Sequence, residues 1–188
     1  MGELLRILGY KVGDQRIAEL FIDDWAKRDF RKIVKYCKTA EAFQDIPFCL
    51  DYTYQVLDYA FPGSKFILTV RNSSHEWYTS LIKFHSKLFG KGKIPTVNDF
   101  KNYEYNGPGW LWKTHQIVFN INEELIYDKS HYIKHYESHN SRVIDYFRFR
   151  SDDLLVMNVE NTNAVQSLCD FLGLKNNNYT MPHLMKSG

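Results

Sequence analysis

The chain has 188 residues, 44% hydrophobic and 16% aromatic, with 24 basic and 22 acidic side chains for a formal charge of +2. That length suits one domain with a sizeable core and excludes two ordinary ones, and the aromatic content excludes disorder outside the tail. A near-balanced charge offers no bulk field for wrapping nucleic acid or coating an anionic membrane, so any anion site must be local.

No apolar run approaches the roughly 18 residues that cross a membrane, and the first residues lack a signal-peptide pattern. Cys37, Cys49 and Cys169 are spaced for neither a disulfide framework nor a zinc site. These features predict a soluble, cytoplasmic protein in a reducing compartment, with one domain over residues 1–175 and a loose tail over 176–188.

In chain order, Leu4, Leu5 and Leu8 share a helical face that Gly9 ends. Asp14 is placed to cap a second helix carrying Ile17, Leu20, Phe21 and Trp25, and a third is expected over residues 30–36. Residues 42–46 read as a short strand ended by Pro47, and 48–60 as a helix with Tyr52, Val56 and Tyr59 on one side. Residues 66–70 are apolar without alternation, as in a strand covered on both faces. Ser73 and Glu76 form a capping box for a helix in which Trp77, Leu81, Phe84 and Leu88 recur at three and four.

Residues 90–109 are rich in Gly, Pro and Asn and read as a surface excursion, with a short helical piece at 97–103. Helices are expected over 111–127 and 129–147, the second capped by Asp128. A strand at 154–159 and a helix at 163–172, stopped by Gly173, complete the pattern. Short apolar strands alternating with helices imply an α/β class: a parallel sheet flanked by helices.

Ligands in such a sheet sit at the carboxyl ends of strands, which directs attention to Arg71. A guanidinium can fork onto phosphate oxygens, the following helix presents free amides, and the Ser80 hydroxyl, two turns on, can reach back towards the same anion. On the residues alone the plainer reading is favoured, since a strand ending in one arginine is common: Arg71 caps the sheet edge or pairs with an acidic neighbour, and Ser80 is a small residue at a helix contact.

The wider pattern FPGSKFILTVRNSSHEWYTSL resembles the segment of sulfotransferases that holds the 3′-phosphate of 3′-phosphoadenosine 5′-phosphosulfate. LGYKVGD, AFQDIPF, HNSRVIDYFRFRSDDLLVMNVEN and LCDFLGL resemble further parts of that family more loosely, so the likeness covers most of the chain. It implies a P-loop nucleotide-hydrolase-like sulfotransferase fold and a nucleotide sulfate donor, with Arg71 and Ser80 on its 3′-phosphate. The implied reaction moves a sulfuryl group to a hydroxyl or amine acceptor. The acceptor itself is unknown from sequence, because acceptor pockets are built from variable loops such as 90–109.

Asp45 is the candidate base. It ends the 42–46 strand, where a crevice would raise its pKa, although it could equally cap the helix expected at 48. The family's glycine-rich loop for the 5′-phosphosulfate does not occur in this sequence. Met1 falls where the family is already inside its first helix, so the fold is expected to be N-terminally incomplete. A kinase-like nucleotide-binding protein and a non-catalytic binding or scaffold domain remain alternatives.

Two weaker patterns stand apart. His131, His135 and His139 step by four along one helix but drift around it, and read more simply as partly buried or solvated histidines than as metal ligands. YEYNGPGWLWKTH reads either as a lid or as a hinge whose Trp110 and Trp112 cover the core, with His115 a second possible base.

Overall fold

The structure is a computed structural model describing residues 1–175 and 179–182. Most of the tail expected over 176–188 lies outside the described residues. In chain order the elements begin with α1 (Gly2–Ile7), α2 (Gln15–Glu19), α3 (Ile22–Ala26), α4 (Arg31–Tyr36), α5 (Thr53–Ala60) and β1 (Phe66–Val70). There follow α6 (Ser74–Leu88), α7 (Val97–Asn102), α8 (Trp110–Phe119), α9 (Lys129–Tyr146), a 3₁₀ turn (Ser151–Asp153), β2 (Leu154–Asn158) and α10 (Ala164–Phe171). No helix among the described residues is long and apolar enough to cross a membrane. The chain divides into two compact units, Met1–Val70 with Val143–Gly188, and Arg71–Arg142.

The first unit is built on the parallel pair β1 and β2, registered from Phe66 opposite Leu154 to Val70 opposite Asn158. Alternation sends their side chains to two faces. On one face Phe66, Leu68, Val70 and Leu154 pack with Tyr54, Val143 and Phe147. On the other, Ile67, Leu155 and Met157 pack with Leu4 of α1 and Ala164, Val165, Leu168 and Cys169 of α10. Both faces of the strands therefore carry packed side chains, with Thr69 and Val156 left exposed, and the mixed α/β class follows. Asp58 ties α5 to the segment after α9. It accepts from Arg150 through both oxygens at 3.0 and 2.7 Å and from the Tyr146 hydroxyl at 2.7 Å.

Local signals placed several ends correctly. The Asp14 carboxylate accepts from the N–H groups of Arg16 and Ile17 at 2.8 and 3.4 Å, capping α2. Gly173 follows α10 at φ 69°, a left-handed conformation that costs glycine nothing. Three expectations for this unit need correction. The helix expected from Asp14 through Trp25 is two short helices, and Ile17 and Leu20 of its stripe are exposed while Ile22 and Trp25 are buried.

The strand expected at 42–46 is reduced to a single bridge between Ala42 and Val12. The helix expected from 48 starts only at Thr53, because the left-handed Tyr52 (φ 66°) interrupts it; Tyr52 and Tyr59, expected on one side of it with Val56, are both exposed.

The second unit is helical. Ser73 caps α6, its hydroxyl accepting from the Glu76 N–H at 3.1 Å, and Thr96 with Asp99 forms a reciprocal capping box at the start of α7. Asp128 accepts from the His131 N–H at 2.7 Å at the start of α9. The helix expected over 111–127 ends at Phe119, because Asn120 turns left-handed at φ 51°. Asparagine tolerates that conformation better than most residues do. Phe100, Trp112, Ile121 and Tyr132 form the core, with Trp77, Tyr78 and Leu81 packed against it.

Candidate functional site

Arg71 immediately follows the last paired residue of β1, Val70, and two residues later the chain enters the cap of α6. The β-branched and aromatic content of residues 66–70 favours an extended strand, and the Ser73 cap forces the change to helix. The turn is therefore short, and it places an arginine beside the first turn of a fifteen-residue helix. Arg71 is half-buried, and its Nη2 donates to the Ser80 Oγ at 3.3 Å. The predicted pair thus meets in space. A guanidinium and a hydroxyl that converge in this way can grip an oxyanion with two or more oxygens.

The Arg71 main chain is held as well. Its N–H donates to the Tyr136 hydroxyl at 3.0 Å, and the Tyr136 ring stacks on Trp77 with 4.5 Å between centroids and 12° between planes. The sequence pattern placed Trp77 only in an apolar stripe and gave Tyr136 no role. The one available signal was that a buried tyrosine hydroxyl needs a partner, and sequence does not name that partner.

Asp45 belongs to the first unit. It adopts φ 59°, a conformation that aspartate tolerates, in the turn that replaces the expected strand. Its Oδ1 accepts from the Ile46 N–H at 2.9 Å, and its carbonyl accepts from the Cys49 N–H at 2.8 Å. Asp45 therefore does not cap a helix at 48. The protein packed around its carboxyl raises the pKa, the Ile46 amide draws it partly back, and the residue still presents surface to solvent. A carboxyl of that kind can take up a proton from a reacting group.

His115 is 6% exposed, with Nε2 2.6 Å from the Tyr132 hydroxyl and its ring stacked on Phe100 at 4.6 Å. Burial, with a smaller contribution from His85, lowers its pKa to about 3. The imidazole is a buried core group. Trp112 is buried in the same core, which fits the covering role for the 103–115 stretch. The His131 Nε2–H donates to the Phe119 carbonyl at 2.7 Å, and His135 lies edge-on to the Phe119 ring. Their helical spacing thus serves the contact between α9 and α8.

The family model described as "Sulfotransferase domain" matches residues 4–188. No curated protein and no solved structure matches the chain.

Proposed function

The chain belongs to the sulfotransferase domain family, and we propose that it uses 3′-phosphoadenosine 5′-phosphosulfate as donor and a hydroxyl or amine as acceptor. The contact between the Arg71 guanidinium and the Ser80 hydroxyl carries this reading. Both groups would hold the 3′-phosphate, the guanidinium through two charge-assisted hydrogen bonds and the hydroxyl through one. The half-buried setting excludes part of the solvent and strengthens each of these interactions. When bound, the donor supplies an electrophilic sulfuryl group and leaves as 3′,5′-adenosine bisphosphate.

The protein's own contribution is position and proton management. An acceptor hydroxyl or amine must lose its proton as its bond to sulfur forms, and Asp45 is the group we assign to receive it. Its raised pKa brings the carboxylate closer to the basicity such a transfer requires. His115, enclosed by rings, is not available for that task.

The test is Arg71→Ala titrated calorimetrically with 3′,5′-adenosine bisphosphate. Loss of charge-assisted hydrogen bonds should weaken binding by at least about tenfold, with an unchanged circular dichroism spectrum. Equal affinity in the two proteins would remove the assignment of the phosphate site. Stabilisation of the wild type by ATP but not by the bisphosphate would favour a kinase-like nucleotide site instead.

A further inference from the structure

We propose that Tyr136 is a positioning residue for the Arg71–Ser80 clamp and acts through the main chain of Arg71. This role rests on the reading of that clamp as a phosphate site. The register of β1 with β2 ends at Val70 opposite Asn158, and the next residue, Arg71, stands where the strand gives way to the cap of α6. A half-buried amide in that position needs an acceptor. The Tyr136 hydroxyl on α9 supplies it at 3.0 Å, across 65 positions of sequence.

The tyrosine is itself fixed. It is 9% exposed, and its ring lies nearly parallel to Trp77. Trp77 sits on α6 three residues before Ser80, so one helix carries both the ring that orients Tyr136 and the hydroxyl that meets Arg71. The contacts close a loop: Tyr136 holds the Arg71 backbone, Trp77 holds Tyr136, and α6 presents Ser80 to the guanidinium. An arginine side chain has many rotamers, and fixing its backbone at the strand end limits where the charge can be delivered. The phenol oxygen that accepts from Arg71 orients the clamp without having to touch the anion.

Tyr136→Phe keeps the ring and its stacking and removes only the acceptor. Hydrogen exchange of the Arg71 amide, read by NMR in the full chain, should accelerate. Affinity for 3′,5′-adenosine bisphosphate should fall by about three- to tenfold, the range for one hydrogen bond, while affinity for 5′-AMP, which lacks the 3′-phosphate, stays the same. In an Arg71→Ala background the same substitution should leave the bisphosphate-to-AMP affinity ratio unchanged. Unaltered bisphosphate affinity in Tyr136→Phe would overturn the role. So would an equal loss for both nucleotides, or a further loss of preference without Arg71, since either would mean that the hydroxyl supports the fold or touches the nucleotide directly. If Arg71→Ala itself keeps the wild-type ratio, or the wild type shows no preference, the clamp fails and the positioning role with it. If Arg71→Ala removes the preference and Tyr136→Phe does not, the positioning role alone fails.

Discussion

In the first unit one face of the two parallel strands packs aliphatic side chains and the other adds Tyr54, Phe66 and Phe147, whereas the second unit packs ring on ring and seats two imidazoles among them. Leu4, Met157, Val165, Leu168 and Cys169 make a core with no polar side chain to satisfy. In the second unit Phe100, Trp112 and Tyr132 surround His85 and His115, whose rings lie 5.4 Å apart. His85 Nδ1 is 2.9 Å from the Tyr127 hydroxyl and His115 Nε2 is 2.6 Å from that of Tyr132. Aliphatic packing depends on volume and is indifferent to pH, while a core of partnered imidazoles depends on both geometry and protonation. The two candidate chemistries divide between the units: Asp45 lies in the first, and the Arg71–Ser80 clamp begins the second.

The largest expected effect breaks the aliphatic side. Leu168 is fully buried, so Leu168→Ala should cost about 3 kcal/mol through lost transfer energy and a residual cavity. A urea titration at pH 7 would show it, and the penalty should be the same at pH 5.5. A penalty below about 1 kcal/mol would mean that the α10 face of the sheet is loosely packed.

Next comes the division of chemistry. Asp45→Asn should lower sulfuryl turnover by about 100-fold, at the lower end of general-base contributions, and leave affinity for 3′,5′-adenosine bisphosphate within about twofold. Turnover that survives the change would free Asp45 for a purely local role in its turn.

The smallest effect sharpens the aromatic side. Burial lowers His85 to about 4 and, with the added influence of His85, His115 to about 3, both below the ordinary 6.5. The fold therefore requires the neutral imidazoles. Their contribution is complete above 6.5 and is lost as pH falls from there towards the folded values, because the unfolded chain binds protons that the folded chain refuses. Between pH 7 and 5.5 the loss should reach about 2 kcal/mol for the pair. His115→Phe should remove about half of that slope. Urea midpoints that do not move across this window would show the imidazoles to be hydrated.

Much of the secondary structure was legible because its causes are local. The run at 66–70 lacks alternation, Ser73 can reach the Glu76 amide, and Gly173 can turn left-handed, so β1, the start of α6 and the end of α10 follow from neighbouring residues. Residues 42–52 were misread for the complementary reason. Their apolar and Pro-bounded pattern suits a strand and a helix, but positive φ at Asp45 and Tyr52 sets a turn that no hydrophobic period announces. Ile17 and Leu20 show the same limit, since a stripe is predicted from spacing while burial depends on what packs against it.

For the site, sequence alone determined the residue types and the family likeness: an arginine at a strand end, a serine two helical turns on, and an aspartate two positions before a proline. These follow from short-range order along one strand and one helix. Only the tertiary structure decided which groups meet. It joined the Arg71 guanidinium to Ser80, supplied Tyr136 from 65 positions away to hold the Arg71 amide, and took His115 into the core. Hydrogen-bond partners and burial are set by packing between distant segments, and no local pattern of residues encodes them.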